Sequence, residues 1–127
     1  DVGIAVVGRT LAEAFENAAF GMFDLMFDTA ALSAPGDEVP VEVGADSPGE
    51  LLVAWLSALL AEAEIRGLAF TRFRVDEISD RRLSGGAAGV PVASADLRGP
   101  PVKAVTYHEL AVEPKPGGWE ARVIFDV

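Results

Sequence analysis

Apolar residues recur along this chain either every second position or every three to four, and the switches between the two periods mark its elements. Val2, Ile4 and Val6 alternate with Gly3, Ala5 and Val7 up to Gly8, an apolar run that predicts a buried strand. Thr10 followed by Glu13 is a capping box, in which each side chain satisfies a backbone donor that the first helical turn leaves open. Leu11, Ala14, Phe15, Ala18, Met22, Leu25 and Met26 then keep helical spacing to about Asp28, with Glu13, Glu16, Asn17 and Asp24 on the outer face. Residues 35–38 read as a loop, and Val39, Val41 and Val43 as a short strand that Pro40 assigns to an edge or a strand start. Ser47, Pro48 and Glu50 repeat the helix-start signal. The stripe Leu51, Leu52, Trp55, Leu56, Leu59, Leu60 and Ala63 follows, closed by Arg66 and Gly67 as a cationic last turn and a C-terminal glycine. Residues 70–78 alternate as a strand, with Phe73 and Val75 on one face and Arg72, Arg74 and Asp76 on the other. Residues 83–92 give a weaker strand pattern, loosened by Gly85, Gly86 and Gly89, and residues 96–101 read as loop.

The C-terminal fifth carries two alternating runs, residues 102–110 and 119–127, separated by Pro114, Pro116, Gly117 and Gly118, which predicts a long hairpin. With Val112 opposite Trp119, one face collects Ala104, Thr106, His108, Leu110, Val112, Trp119, Ala121, Val123, Phe125 and Val127. The other carries Lys103, Val105, Tyr107, Glu109, Glu120, Arg122, Ile124 and Asp126, because a slip of one residue would mix the two sets. Lys103 and Asp126 are thereby expected on one face, within a rung or two of each other. The element order predicts an α+β fold, a two-layer sandwich with two helices packed on one face of a mainly antiparallel sheet. Residues 1–127 are read as a single domain, with no repeat or linker.

Half of the 127 residues are apolar, enough for a real core. Twenty acidic against ten basic residues give a net charge of -10, which repels phosphate backbones and argues against unassisted binding to nucleic acid. A basic partner or a metal ion suits the chain better. Cysteine is absent, which removes disulfide and thiolate chemistry, and no apolar run approaches a membrane span, so a cytoplasmic location without membrane contact is expected. Asp1 is not an initiator methionine and leads straight into a strand, so residues upstream of it are expected.

With one histidine and scattered serines, a nucleophile, base and orienter set is hard to assemble. His108 falls on the apolar face of the expected hairpin and is read as a core histidine rather than a ligand. Gly85 and Gly86 lack the lysine and following helix of a phosphate loop. Carboxylates remain. Asp1 opens an apolar strand and Asp126 interrupts another, and acidic residues are poor strand formers. One reading is that solvated strand ends tolerate charge. The other joins Asp1, Asp126 and the terminal carboxylate of Val127 into an oxygen-rich site for a hard divalent cation, calcium or magnesium. Lys103 is either a salt-bridge partner of Asp126 or a contact for a phosphate or an acidic partner.

Three separated segments in order, Asp1-Val2-Gly3-Ile4 with residues 8–19 and Met22-Phe23, then residues 102–108, then residues 122–127, together resemble the archease family over nearly the whole chain. Residues 85–101 match its pattern least. The family motif also continues upstream of the position of Asp1 with a histidine that this sequence does not contain. The resemblance implies an accessory protein that is not itself an enzyme. Such a protein activates the GTP-dependent RNA-splicing ligase that joins tRNA exon halves, promoting the ligase's guanylylation and multiple turnover. In those terms Asp1 and Asp126 match metal-binding carboxylates, Val127 adds its terminal carboxylate, and Lys103 matches a lysine needed for activation. RNA is then met only through the ligase. Two other classes are weighed beside it: a chaperone or specificity modulator of RNA-modifying enzymes such as tRNA methyltransferases, which requires exposed apolar surface, and a metal-dependent enzyme, which requires a general base beside the metal.

Overall fold

The computed structural model describes residues 1–29 and 34–127. Strand β1 (Val2–Gly8) leads directly into α1 (Leu11–Met26), whose first turn is closed by the Thr10 hydroxyl accepting from the Glu13 N–H at 3.1 Å. After β2 (Val39–Gly44) comes α2 (Pro48–Arg66), capped by Ser47 and ended by Gly67 in the left-handed region at φ 66, where a side chain would be strained. Strands β3 (Leu68–Ile78) and β4 (Arg82–Pro91) follow, then a 3-10 turn at Val92–Ser94 and the two-residue β5 (Ala104–Val105). Strands β6 (Ala111–Lys115) and β7 (Gly118–Asp126) close the chain.

The α+β class read from the sequence is the class observed, with the strands divided between two antiparallel sheets. One has the order β1-β7-β5, with β6 also paired to β7; the other has the order β2-β4-β3, with the Pro40 strand at its edge as predicted. Both helices span the two sheets, α1 packing on β1, β7 and β3 and α2 on β2, β3, β4, β5 and β6. One continuous core results, with Phe15, Trp55, Phe70 and Phe125 fully buried, and the Trp55 indole N–H donates to the Phe15 carbonyl at 3.1 Å. Phe23 sits edge-on to Phe70 at 5.5 Å between centroids.

Strand β4, the weakest in the sequence, is the central strand of its sheet. Its glycines let it lie tight between neighbours: a Cβ at Gly85 would overlap the carbonyl of Arg74, and one at Gly89 that of Ala69. Strand β1, expected to be buried, is buried on one face only. Gly3, Ala5 and Val7 are exposed, because α1 covers the Ile4 and Val6 side and β1 ends its sheet. Glu16, expected on the outer face of α1, is half-buried and accepts the Val75 N–H at 2.8 Å, tying α1 to β3.

Candidate functional site at the open end of the first sheet

The C-terminal segment does not form one long hairpin. Strand β6 pairs with β7 in the register Val112↔Ala121, whereas β5 pairs as Ala104↔Asp126 and Val105↔Phe125. The two registers differ because residues 106–110 leave the ladder in a turn, with Glu109 in the left-handed region at φ 52 and Leu110 returning against Gly49. The alternation read along β7 holds, since Ala121, Val123 and Phe125 are buried and Arg122 and Asp126 exposed. Along residues 104–108 it does not. Ala104 is exposed and Val105 packs against the core, the reverse of the expected faces. His108 is no core histidine: it projects from the turn with its side chain 75% exposed, beside Glu109. Period-two alternation assigned it inward, and the turn removes the period.

Strand β7 lies between β5 and β1, and its hydrogen bonds fix which residues face which neighbour. The Asp126 carbonyl accepts the Lys103 N–H at 2.8 Å and the Ile124 carbonyl accepts the Thr106 N–H at 3.0 Å, so Ile124 and Asp126 bond towards β5. The residues between them then bond towards β1, where Val2↔Phe125 and Ile4↔Val123 are paired. Carried one rung further, the β1–β7 register sets Asp1 opposite Asp126 in a pair without mutual hydrogen bonds. That is the closer kind of antiparallel pair, with Cα atoms about 4.5 Å apart and side chains on the same face.

The main-chain bond joins Lys103 to Asp126, and the β1 register carried past Val2 leads Asp1 to the same end of β7. Asp1 and Asp126 are exposed on the outer face of the sheet, and Lys103 is bonded to Asp126 through the main chain. Lys103 and Ala104 are exposed in succession between buried Val102 and half-buried Val105. Val127 turns its side chain to the core. Among the described residues Asp1, Lys103 and Asp126 take part in no ion pair, so a Lys103–Asp126 salt bridge is not formed.

For a hard cation the pair offers two carboxylates side by side. Among the described residues no group of three or more histidine, cysteine, aspartate or glutamate side chains gathers anywhere. Calcium takes about six to eight oxygen ligands. Two carboxylates fall short of that set, so a cation at this corner would need main-chain oxygens, water or the oxygens of a partner as well.

Sequence reasoning missed what adjoins the corner. A groove of about 760 Å³ runs between the ends of α1 and α2 and residues 101–105, lined by Phe23, Leu60, Leu68, Val92 and Val102, with Lys103 contributing to its wall. These residues come from five separate segments, so no period or motif could gather them. Among the described residues no helix is long and apolar enough to cross a membrane.

The family model of the Archease protein family matches residues 1–127. Protein archease of Methanosarcina acetivorans is 39% identical over 136 residues, covering all of this chain and 90% of that protein. The solution structure of a Methanobacterium thermoautotrophicum protein superposes with a TM-score of 0.80 at 34% identity, covering all of this chain and 95% of the other. A crystal structure of a Thermotoga maritima archease, described as a possible chaperone, gives a TM-score of 0.72 at 17% identity, over all of this chain and 91% of that one, and speaks for the fold alone.

Proposed function

Because the chain belongs to the archease family, we propose that it is a non-catalytic activator of the GTP-dependent RNA-splicing ligase, promoting the ligase's guanylylation and thereby its repeated turnover. The observation that carries this reading is the register at the end of the first sheet: continued one rung past Val2↔Phe125 it sets the carboxylates of Asp1 and Asp126 side by side, while the Lys103 main-chain N–H donates to the Asp126 main-chain carbonyl. Asp1 and Asp126 would hold a divalent cation, calcium or magnesium, with Val127 adding main-chain oxygen. When bound, that cation supplies positive charge for the phosphates of a nucleotide. The half-open ligand set suits a site completed by a partner rather than a closed catalytic pocket.

The chain's own residues do the remaining work. The Asp126 main chain is held by the Lys103 N–H on one side and by the neighbouring Val2↔Phe125 pair on the other, so the backbone that carries its carboxylate needs little reordering on docking. The Lys103 ammonium, free of ion pairs among the described residues, is available to a phosphate or to an acidic group of the ligase. The net charge of -10 favours a basic protein surface over RNA itself. Multiple-turnover RNA ligation by the purified cognate ligase tests the reading: it requires stimulation by the unmutated protein that is lost with Asp126→Ala or Lys103→Ala.

A second reading, a chaperone or specificity modulator of RNA-modifying enzymes, is favoured by the apolar groove beside Lys103. It requires that Leu60→Asp abolish the effect on the client while Asp126→Ala leaves it intact.

A further inference from the structure

Sheet edges are open templates for pairing, and proteins guard them with charge, proline, bulges or cover. Strand β1 ends its sheet and carries none of the first three devices: Val2–Gly8 contains no charged residue or proline, and its seven rungs to β7 run without a bulge. Since Val2, Ile4, Val6 and Gly8 bond to β7, the N–H and C=O groups of Gly3, Ala5 and Val7 point to the free edge. Asn17 of α1 donates to the Val7 carbonyl at 2.7 Å and leaves that oxygen a second lone pair. On the same flank of α1, Phe20 is 41% exposed, and Val7 on the strand is 66% exposed.

We propose that β1 is a self-association edge, through which a second copy of this chain pairs antiparallel about Ala5 and joins two four-stranded sheets into one. The sequence around the strand is complementary to itself in that register. Pairing centred on Ala5 sets Gly3 opposite Val7 of the other copy, both with outward backbone groups, and Ala5 opposite its own equivalent. One rung beyond, Asp1 meets Arg9 of the other copy at each end. Both are exposed, and neither has an ion-pair partner among the described residues. The occupant is a second copy rather than an unrelated peptide because the charges bracketing the strand match its own reverse. One strand edge is a small interface and each copy carries -10, so the dimer is weak and concentration-dependent.

Sedimentation equilibrium at 0.15 M salt tests this on the full chain. The average mass rises towards twice the monomer with concentration. Ala5→Lys abolishes the rise, because two lysines then face each other on the two-fold axis, and Ala5→Glu does the same. An equimolar mixture of the two variants restores it. Arg9→Asp, outside the ladder, shifts the rise to higher concentration. A mass that stays monomeric up to about 1 mM, or a dimer indifferent to Ala5→Lys, overturns the proposal. Asp1 belongs both to this flanking pair and to the proposed cation corner, whereas Ala5 lies outside that corner, so the Ala5 variants separate a failure of self-association from a failure of ligase activation.

Discussion

The Lys103 backbone N–H lies 2.8 Å from the Asp126 carbonyl oxygen, and that hydrogen bond joins the short fifth strand to the end of the seventh. It fixes two charged residues, 23 positions apart in sequence, at one corner, with their side chains spared from pairing with each other.

The proposed cation site at Asp1 and Asp126 can be tested on the isolated protein. Titration calorimetry with calcium on the isolated protein should show binding that Asp126→Asn weakens at least about tenfold, roughly 1.4 kcal/mol. Circular dichroism of the variant should be unchanged, since Asp126 is exposed. Equal affinity in both proteins would remove Asp126 from the ligand set.

Trp55 is fully buried with its indole bonded to the Phe15 carbonyl. Trp55→Phe keeps most of the volume and removes one added hydrogen bond, since the Phe15 carbonyl lies within α1 and keeps its helical donor, and should cost about 0.5–1.5 kcal/mol in denaturant unfolding. Trp55→Ala opens a cavity between α1 and α2 and should cost about 3–5 kcal/mol.

The glycines of β4 answer to packing, and the glycine ending α2 to backbone conformation. Gly89→Ala drives a methyl group into the Ala69 carbonyl and should prevent folding or lower stability by about 3 kcal/mol or more. Gly67→Ala meets nothing within 4 Å and pays only for the left-handed conformation, about 1 kcal/mol. Thermal unfolding of the two variants separates the cases.

His108→Ala should change stability by less than about 0.5 kcal/mol, as expected for an exposed turn side chain. A core histidine would cost several times more, so chemical denaturation distinguishes the two placements.

Where a local signal carried the information, the sequence was readable. The Thr10 and Ser47 caps, the Gly67 stop and the helical stripes placed α1 and α2 within a residue or two of their ends, and alternation along β7 sorted its buried from its exposed side chains. The misreadings share one cause: period-two patterning says nothing about where a strand leaves its ladder. Residues 106–110 look alternating and form a turn, which reversed the faces of Ala104 and Val105 and exposed His108. The division into two sheets and the groove beside Lys103 depend on long-range packing that no window of the chain contains. Asp1 and Asp126 were noticed because carboxylates are unusual in apolar strands; their shared rung became visible only from the β1–β7 register.

Promotion of guanylylation by this corner is read most directly from the amount of covalent ligase–GMP that the cognate ligase forms from GTP. With the unmutated protein present, the yield of guanylylated ligase should rise severalfold, and with folded Asp126→Ala or Lys103→Ala it should fall to the level of the ligase alone. No rise with the unmutated protein, or a full rise with both variants, would contradict the account.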